Sequence, residues 1–308
     1  MSNSRRDFVK LLSAGALVAP LAAMHHRAAI GAPAFGPGFG PLTPMLPLNT
    51  HELFSERAPG LVNFDFRGLP LISLPEGFRY TSFGWAREPL DRDVPTPGAH
   101  DGMGVVAVEG DVVTLVRNHE VVAGWGSFAP ASASYDPRCG GGTATLRFDT
   151  RAGRFLGGHA SLGGTVQNCA GGVTPWGTWR SAEEFVSAAG EVQLAGISHE
   201  LSRDHGFVFE VPARGLASAE PILAMGQFEH EAVAVDPATG IFYLTEDTEP
   251  EAGFYRMIPK VPGQPVRGGR LQMLRAVGAP DLRTGRRVGE RRDGTGAGDR
   301  AQPGMAAA

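Results

Sequence analysis

A repeated strand–turn–strand pattern in the middle of the chain constrains the fold most strongly. Residues 143–156 comprise a β-prone run, a turn closed by Gly153 and a second run. Residues 232–245 repeat this order, with the turn closed by Gly240. β-Branched and aromatic runs separated by glycine-closed turns predict antiparallel hairpins. Strand pairs at such intervals are typical of a β-propeller.

Other segments support an all-β chain. The sequence predicts strands over Asp111–Arg117, Gly206–Val211 and Gly253–Met257, and a short helix only over Ser181–Ala189. Residues 35–275 number 241, whereas six blades of about 40–45 residues need about 240–270. Because the first part of this segment is coil, too few residues remain for six complete blades. We therefore expect an incomplete propeller, and its loops are expected to be irregular and metal-binding.

The stretch Asn168–Glu184, NCAGGVTPWGTWRSAEE, combines glycines, a proline, two tryptophans, a cysteine and paired carboxylates. Its composition predicts an irregular loop, because glycine and proline favour non-repeating backbone. Cys169, Glu183 and Glu184 are potential anionic metal ligands in such a loop. The alternative is a buried turn with a disulfide-bonded cysteine and two solvated glutamates.

Acidic and amide side chains recur where predicted strands begin or end. Asn118 and Glu120 follow one strand, Glu231 begins another, and Asp247 follows its partner. Hard oxygen ligands suit Ca²⁺ and ferric iron, and a thiolate adds a ligand for iron. Each residue taken singly is also compatible with a solvated strand end.

Asp101 and His205 could be ligands or could have purely structural roles. Asp101 lies in a glycine-flanked turn that aims its carboxylate inward or leaves it on the surface. His205 precedes a strand and is expected to be a hydrogen-bonded structural histidine. The chain has no serine nucleophile elbow, no His-Glu-x-x-His zinc helix and no phosphate-binding Gly-x-x-x-x-Gly-Lys loop.

The N-terminus predicts export. Arg5 and Arg6 precede the uncharged run Leu11–Met24, and Ala32-Pro-Ala34 offers small residues for cleavage. A twin arginine before a short apolar run indicates a Tat signal peptide over residues 1–34. The run is short for a bilayer span. We therefore expect recognition by the Tat translocase, a periplasmic or secreted protein, and no permanent membrane anchor.

The charge of the mature chain excludes one class of partner. Removing residues 1–34 takes away four basic residues and one acidic residue, which changes the net charge from −4 to −7. Such a chain lacks the basic surface that nucleic acids require. The two cysteines, Cys139 and Cys169, allow a disulfide in an oxidising compartment.

Composition divides the chain into four segments. The signal peptide at 1–34 is followed by a Pro/Gly-rich linker at 35–60 and a β-propeller domain at 61–275. Residues 276–308 contain seven Gly and six Arg with no strand or helix period. This last segment is expected to be a disordered or out-of-frame tail.

Several segments, in order, resemble the PhoX-type alkaline phosphatases. The signature is Asn168-Cys-Ala-Gly-Gly-x-Thr-Pro-Trp-Gly-Thr-Trp with the following Glu-Glu pair. The others are Pro97–Met103, Leu115–Glu120, Gly141–Thr143, His205–Val211 and Phe228–Pro237.

The resemblance implies a β-propeller and a secreted phosphomonoesterase that uses iron and calcium. It implies that Cys169 binds iron and that Glu231 with one or both of Glu183 and Glu184 are metal ligands, with Asn118 and Glu120 close by. It assigns no catalytic residue.

Because the family continues with further strands, we expect a form truncated after about residue 275, with little or no activity. The alternatives are a non-catalytic, calcium-stabilised propeller that binds a partner, and a calcium-dependent propeller lactonase.

Overall fold

The computed structural model describes residues 39–55, 64–91, 94–122, 126–194, 196–248 and 250–275. These ranges contain nineteen β-strands, four short 3-10 helices and no α-helix, which confirms the all-β prediction. No helix within them is long and apolar enough to cross a membrane. The expected signal peptide at 1–34 and the expected tail at 276–308 lie outside the described residues.

The chain divides into two units, residues 1–82 and 83–308. The described part of the first unit holds two antiparallel strand pairs and a 3-10 helix at Thr50–Glu52. The pairs are β1 (Thr43–Met45) with β4 (Ile72–Leu74), and β2 (Phe54–Ser55) with β3 (Phe64–Asp65). Two of these strands, β1 and β2, fall inside the region 35–60 that was expected to be linker.

Three main sheets build the second unit, and all their strand pairs are antiparallel. The first sheet has the order β10 (Arg154–Thr165), β9 (Gly141–Asp149), β8 (Val112–His119), β7 (His100–Glu109). The second has the order β11 (Asn168–Val173), β12 (Thr178–Glu183), β15 (Val208–Pro212). The third has the order β16 (His230–Val235), β17 (Phe242–Glu246), β18 (Phe254–Pro259), β19 (Gly269–Met273).

Smaller elements accompany the three sheets. The two-stranded pairs are β5 (Pro89–Asp91) with β6 (Val94–Pro95), and β13 (Gly190–Leu194) with β14 (Ile197–Leu201). The 3-10 helices are Ala131–Ala133, Leu223–Met225 and Pro265–Arg267. The strands predicted from sequence in this unit are all present.

The second sheet lies between the other two, because β11 contacts β7 and β8 on one side and β16 on the other. An apolar core fills each boundary. Between the first and second sheets it includes Val106, Val116, Leu162, Trp179 and Phe209. Between the second and third it includes Ala182, Val208, Val233, Phe242 and Leu244. This is a propeller-like arrangement of side-by-side sheets, and the described sheets do not close into a ring.

Most of the stretch Asn168–Glu184 forms an antiparallel hairpin of β11 and β12 with a register shift between Asn168 and Gly171, so the prediction of a loop too irregular for a strand is wrong. The turn between β11 and β12 forms because Gly177 adopts a positive φ of 77° and Thr174 Oγ1 accepts the Thr178 N–H. The prediction of a helix over Ser181–Ala189 is also wrong. Residues 181–183 belong to β12, whose backbone pairs with β11 and β15.

Glycines let β11 approach its neighbours closely. A Cβ on Gly171 would lie 1.7 Å from the carbonyl oxygen of Arg180 in β12. A Cβ on Gly172 would lie 1.7 Å from the carbonyl oxygen of Val233 in β16. Neither contact is possible for a side chain, so both positions require glycine. The Gly171 contact lies within the second sheet, whereas the Gly172 contact sets how closely β11 approaches β16 of the third sheet.

We expect Gly172→Ala to lower the free energy of unfolding by about 2 kcal/mol, because backbone must move to accept the methyl group. Thermal or urea unfolding followed by circular dichroism measures this effect. Gly98→Ala is the matched control, since nothing lies within 4 Å of a Cβ built there. Equal stability of the two variants would contradict the close approach of β11 and β16.

Candidate metal centre

The first two strands of each main sheet share one pairing pattern at the open end of their hairpin. In the first sheet, for example, His100 pairs with His119, and after a register shift the next pair is Met103 with Arg117. The pairing thus advances three residues on one strand and two on the other, and the other two hairpins show the same offsets. The three pairs are His100–His119, Asn168–Glu183 and His230–Glu246. Such irregularities re-aim side chains at strand ends.

The residue after each member of these pairs carries an acidic group or a thiol. The first sheet contributes Asp101 and Glu120, the second contributes Cys169 and Glu184, and the third contributes Glu231 and Asp247. Five carboxylates and one thiol are thus presented at equivalent positions of three adjacent sheets.

Direct contacts join these side chains into one cluster. The Sγ atom of Cys169 lies 3.4 Å from Oε1 of Glu231 and 3.8 Å from Oδ1 of Asp101. Cys169, Glu184 and Glu231 each offer a ligand atom, and these atoms lie within 4.8 Å of one another. The remaining two are linked through hydrogen bonds, Asp101 with Glu120 and Asp247 with Glu184.

The cluster favours protonated acids in the absence of a cation. Burial, and then the neighbouring Asp101 carboxylate, raises the pKa of Glu120 to about 7. Burial, the hydrogen bond with Asp247 and the charge of Glu231 raise the pKa of Glu184 to about 8. Burial and the charges of Glu184 and Glu231 also raise the pKa of the Cys169 thiol. These charged neighbours are all acidic, so their repulsion calls for bound positive charge.

The donor set fits cations of the type expected from sequence. The Oε2 atom of Glu231 is buried and has no hydrogen-bond partner among the described residues, which is costly unless something binds it. Several carboxylate oxygens suit calcium and ferric iron, and the single thiol adds a ligand that favours iron. The residues present therefore fit an iron- and calcium-binding centre.

Four of the six predicted metal ligands meet in this cluster: Cys169, Glu184, Glu231 and Glu120. Asn118 lies beside it but faces the backbone. Its amide nitrogen donates to the carbonyl oxygens of Cys169 at 3.2 Å and Ala170 at 2.7 Å. Its oxygen accepts hydrogen bonds from Trp179 and Ser181, both at 2.9 Å. With both atoms occupied, this side chain positions the Cys169 backbone.

Glu183 lies on the other side of β12. Successive residues of a strand point to opposite faces, so Glu183 shares the face of Ser181 while Glu184 turns toward the third sheet. The fully buried Glu183 carboxylate accepts hydrogen bonds from Val166 N, His205 Nδ1, Gly206 N and Phe207 N at 2.7–3.0 Å. Of the two glutamates considered from sequence, the structure brings only Glu184 to the cluster.

Asp101 and Asp247 were not among the predicted ligands, although Asp101 was expected in a glycine-flanked turn and Asp247 at a strand end. A signal for the first was present in the sequence: a histidine directly precedes Asp101, Glu120 and Glu231 in turn. Asp247 has no such marker, and only the register of β16 and β17 reveals it. Cys139 and Cys169 are both free thiols, and Cys139 lies with His205 instead.

Comparison with known proteins identifies one family. The sequence profile of the family described as Alkaline phosphatase PhoX matches residues 61–139 and 140–290. The match starts where the propeller domain was expected to start and extends past its expected end at residue 275. No curated protein and no solved structure matches the chain. Because the profile covers most of its length, the chain belongs to the PhoX alkaline phosphatase family.

Proposed function

We propose that this protein is a phosphomonoesterase that binds iron and calcium at the cluster around Cys169. The observation that carries the proposal is the convergence of five carboxylates and a thiol from three sheets, within a chain of the PhoX family. A site with so much negative charge is unsuited to a phosphate ester until cations occupy it.

The chemistry of each side chain determines which cation it would bind. Cys169, Glu184 and Glu231 would hold iron, because their ligand atoms lie closest together and include the thiol. The carboxylates of Asp101, Glu120 and Asp247 extend the hard oxygen set that calcium prefers. When bound, the cations supply charge neutralisation at the phosphoryl oxygens.

The chain's own residues fix this arrangement in advance. Asn118 holds the carbonyl groups of Cys169 and Ala170, and Trp179 and Ser181 hold Asn118. All four hydrogen bonds are in or beside the core between the first two sheets. They keep the thiol oriented toward Glu231, which limits the reorganisation needed on binding.

The test is an assay of the purified full chain loaded with ferric iron and calcium. The clustered ligands and a family match that continues to residue 290 favour activity over the little or no activity expected from a truncation near residue 275. We therefore expect turnover of p-nitrophenyl phosphate, iron and calcium in the protein by mass spectrometry, and loss of turnover after chelation. A lactone and a phosphodiester serve as comparison substrates. Lactone hydrolysis with calcium alone would favour a propeller lactonase, and bound calcium without turnover of any substrate would favour a binding protein. Either result would contradict the proposal.

We also propose that the protein is exported by the Tat pathway to the periplasm or beyond, since Arg5 and Arg6 precede an uncharged apolar run. Replacing both arginines by lysine is expected to leave the protein in the cytoplasm, because the pathway reads this pair. Cell fractionation and immunoblotting measure the effect. Arg27→Lys, after the apolar run, is the control. Normal export of the double variant would disprove Tat recognition.

A further inference from the structure

A second cluster of ligand-type side chains lies behind the first, on the Glu183 side of β12. Asp136, Cys139 and His205 are each fully buried, with 0% exposure. The Nε2 atom of His205 is 3.6 Å from the Sγ atom of Cys139 and 3.6 Å from Oδ2 of Asp136. One ligand atom from each of the three side chains lies within 4.8 Å of the others.

Glu183 orients the histidine in this cluster. Nδ1 of His205 lies 2.7 Å from Oε1 of Glu183, so a neutral ring donates its Nδ1 proton there. Its Nε2 lone pair then faces the thiol of Cys139 and the carboxylate of Asp136. A carboxylate that fixes a ligating histidine through its other ring nitrogen is a recurring feature of zinc sites.

We propose that Asp136, Cys139 and His205 bind a single Zn²⁺ ion, at a site separate from the cluster around Cys169. Zinc bound tetrahedrally to sulfur, nitrogen and oxygen at about 2.0–2.3 Å places its ligand atoms roughly 3.3–3.6 Å apart. The two separations from Nε2, both 3.6 Å, are close to this spacing. Thiolate, imidazole and carboxylate together form a donor set that zinc accepts.

The surroundings hold the carboxylate in place for this role. Asp136 accepts hydrogen bonds from the backbone nitrogen and hydroxyl of Ser202 and from the backbone nitrogens of Arg138 and Arg203. The longest of these, 3.2 Å from Arg203 N to Oδ2, is the bond that the ion would replace. Ligating carboxylates are commonly hydrogen-bonded in this way.

Binding releases the Cys139 thiol proton, and also the Nε2 proton of His205 where that ring is protonated, because against the effect of burial Glu183 and Asp136 raise the pKa of His205. Burial and the carboxylates of Asp136 and Glu183 raise the pKa of the Cys139 thiol, so the ion-free form keeps its S–H bond. On binding, zinc takes the thiolate and the proton leaves for solvent. The ion then joins the loop before β9 to the loop between β14 and β15. His205 is hydrogen-bonded to Glu183, the last residue of β12. The bound ion would therefore stabilise the end of β12, next to Glu184. This inference does not rest on the proposed phosphatase activity.

The test uses the full chain carrying Cys169→Ser, which leaves Cys139 as its one thiol. After chelation the protein is titrated with Zn²⁺, and with Co²⁺ as an optical probe. We expect one zinc per chain and a thiolate-to-cobalt charge-transfer band in the near ultraviolet. Adding Cys139→Ser is expected to abolish the band and lower zinc affinity at least about 100-fold. Circular dichroism verifies that each variant is folded.

Glu183→Gln provides a second arm that keeps the cysteine. Weakening the support of His205 is expected to lower zinc affinity about 10- to 100-fold while the charge-transfer band persists at saturation. Absence of the band from folded Cys169→Ser protein would overturn the zinc site and leave a hydrogen-bonded network. If Cys169→Ser does not fold, the same cobalt titration is carried out on the unsubstituted chain and on its Cys139→Ser variant, and their charge-transfer bands are compared. A cobalt–thiolate band that Cys139→Ser does not diminish would likewise overturn the proposal.

Discussion

Replacing Cys169 by serine is expected to remove bound iron and to lower phosphomonoester turnover on the order of 100-fold or more. The Sγ atom of Cys169 lies 3.4 Å from Oε1 of Glu231. Ligand atoms of Cys169, Glu184 and Glu231 all lie within 4.8 Å of one another. A serine hydroxyl keeps the size of the side chain but is a poorer ligand for iron than a thiolate. Iron content by mass spectrometry and turnover of p-nitrophenyl phosphate measure the two effects.

Cys139→Ser is the matched control for iron content, because Cys139 contacts His205 in the other cluster and not the Cys169 group. It is expected to keep its iron. Two findings would contradict the assignment of Cys169: a serine variant that retains full iron content, or a quantitative Cys139–Cys169 disulfide in the native protein.

Removing the metal ions is expected to destabilise the protein strongly and to make its stability depend on pH. Ions present at about a thousand times their dissociation constant stabilise the folded state by about 4 kcal/mol. Without them, the cluster keeps its repelling carboxylates. We expect a fall of many degrees in Tm on chelation at neutral to alkaline pH, measured by differential scanning calorimetry.

The sign of the pH dependence follows from the raised pKa values. Glu120 and Glu184 have folded-state pKa values of about 7 and about 8, against 4.5 for an ordinary glutamate. At pH values between the ordinary pKa of 4.5 and these raised pKa values, the ion-free folded state binds more protons than the unfolded state. Its stability is therefore fully present below about pH 4.5 and falls as the pH rises through 7 and 8. Since both groups are partly exposed, solvent screening limits the loss to roughly 2 kcal/mol.

Amide variants separate this effect from general unfolding. Glu120→Gln and Glu184→Gln should each flatten the pH dependence of the ion-free form, whereas exposed Glu220→Gln should not. In the loaded protein the same carboxylates are held ionised by the cations, so the loss between pH 5 and pH 9 should disappear. An ion-free form that is more stable at pH 9 than at pH 5 would show that these acids do not repel one another.

The sequence determined the strand content, because that information is local. Alternating β-branched residues and the glycine-closed turns at Gly153 and Gly240 specify hairpins without distant contacts. It also determined four of the clustered residues, through the PhoX-like segments that contain Glu120, Cys169 with Glu184, and Glu231. The prediction failed at Asn168–Glu184, where glycine suggested irregular backbone. Gly171 and Gly172 are instead required by the close approach of strands, which composition does not reveal.

Only the tertiary structure decided which acidic residues share a site. Glu183 and Glu184 are indistinguishable in sequence, yet Glu183, the last residue of β12, and Glu184, which follows it, point to opposite faces and belong to different clusters. Asp247 joins the centre because the register of β16 and β17 places it at the same strand ends as Glu231, and packing of the second and third sheets brings it to Glu184. Cys139 and Cys169 lie 30 positions apart in the sequence, and packing assigns them to separate groups. Strand formation depends on neighbours in the chain, whereas a metal centre depends on register and packing between sheets, which no local pattern encodes.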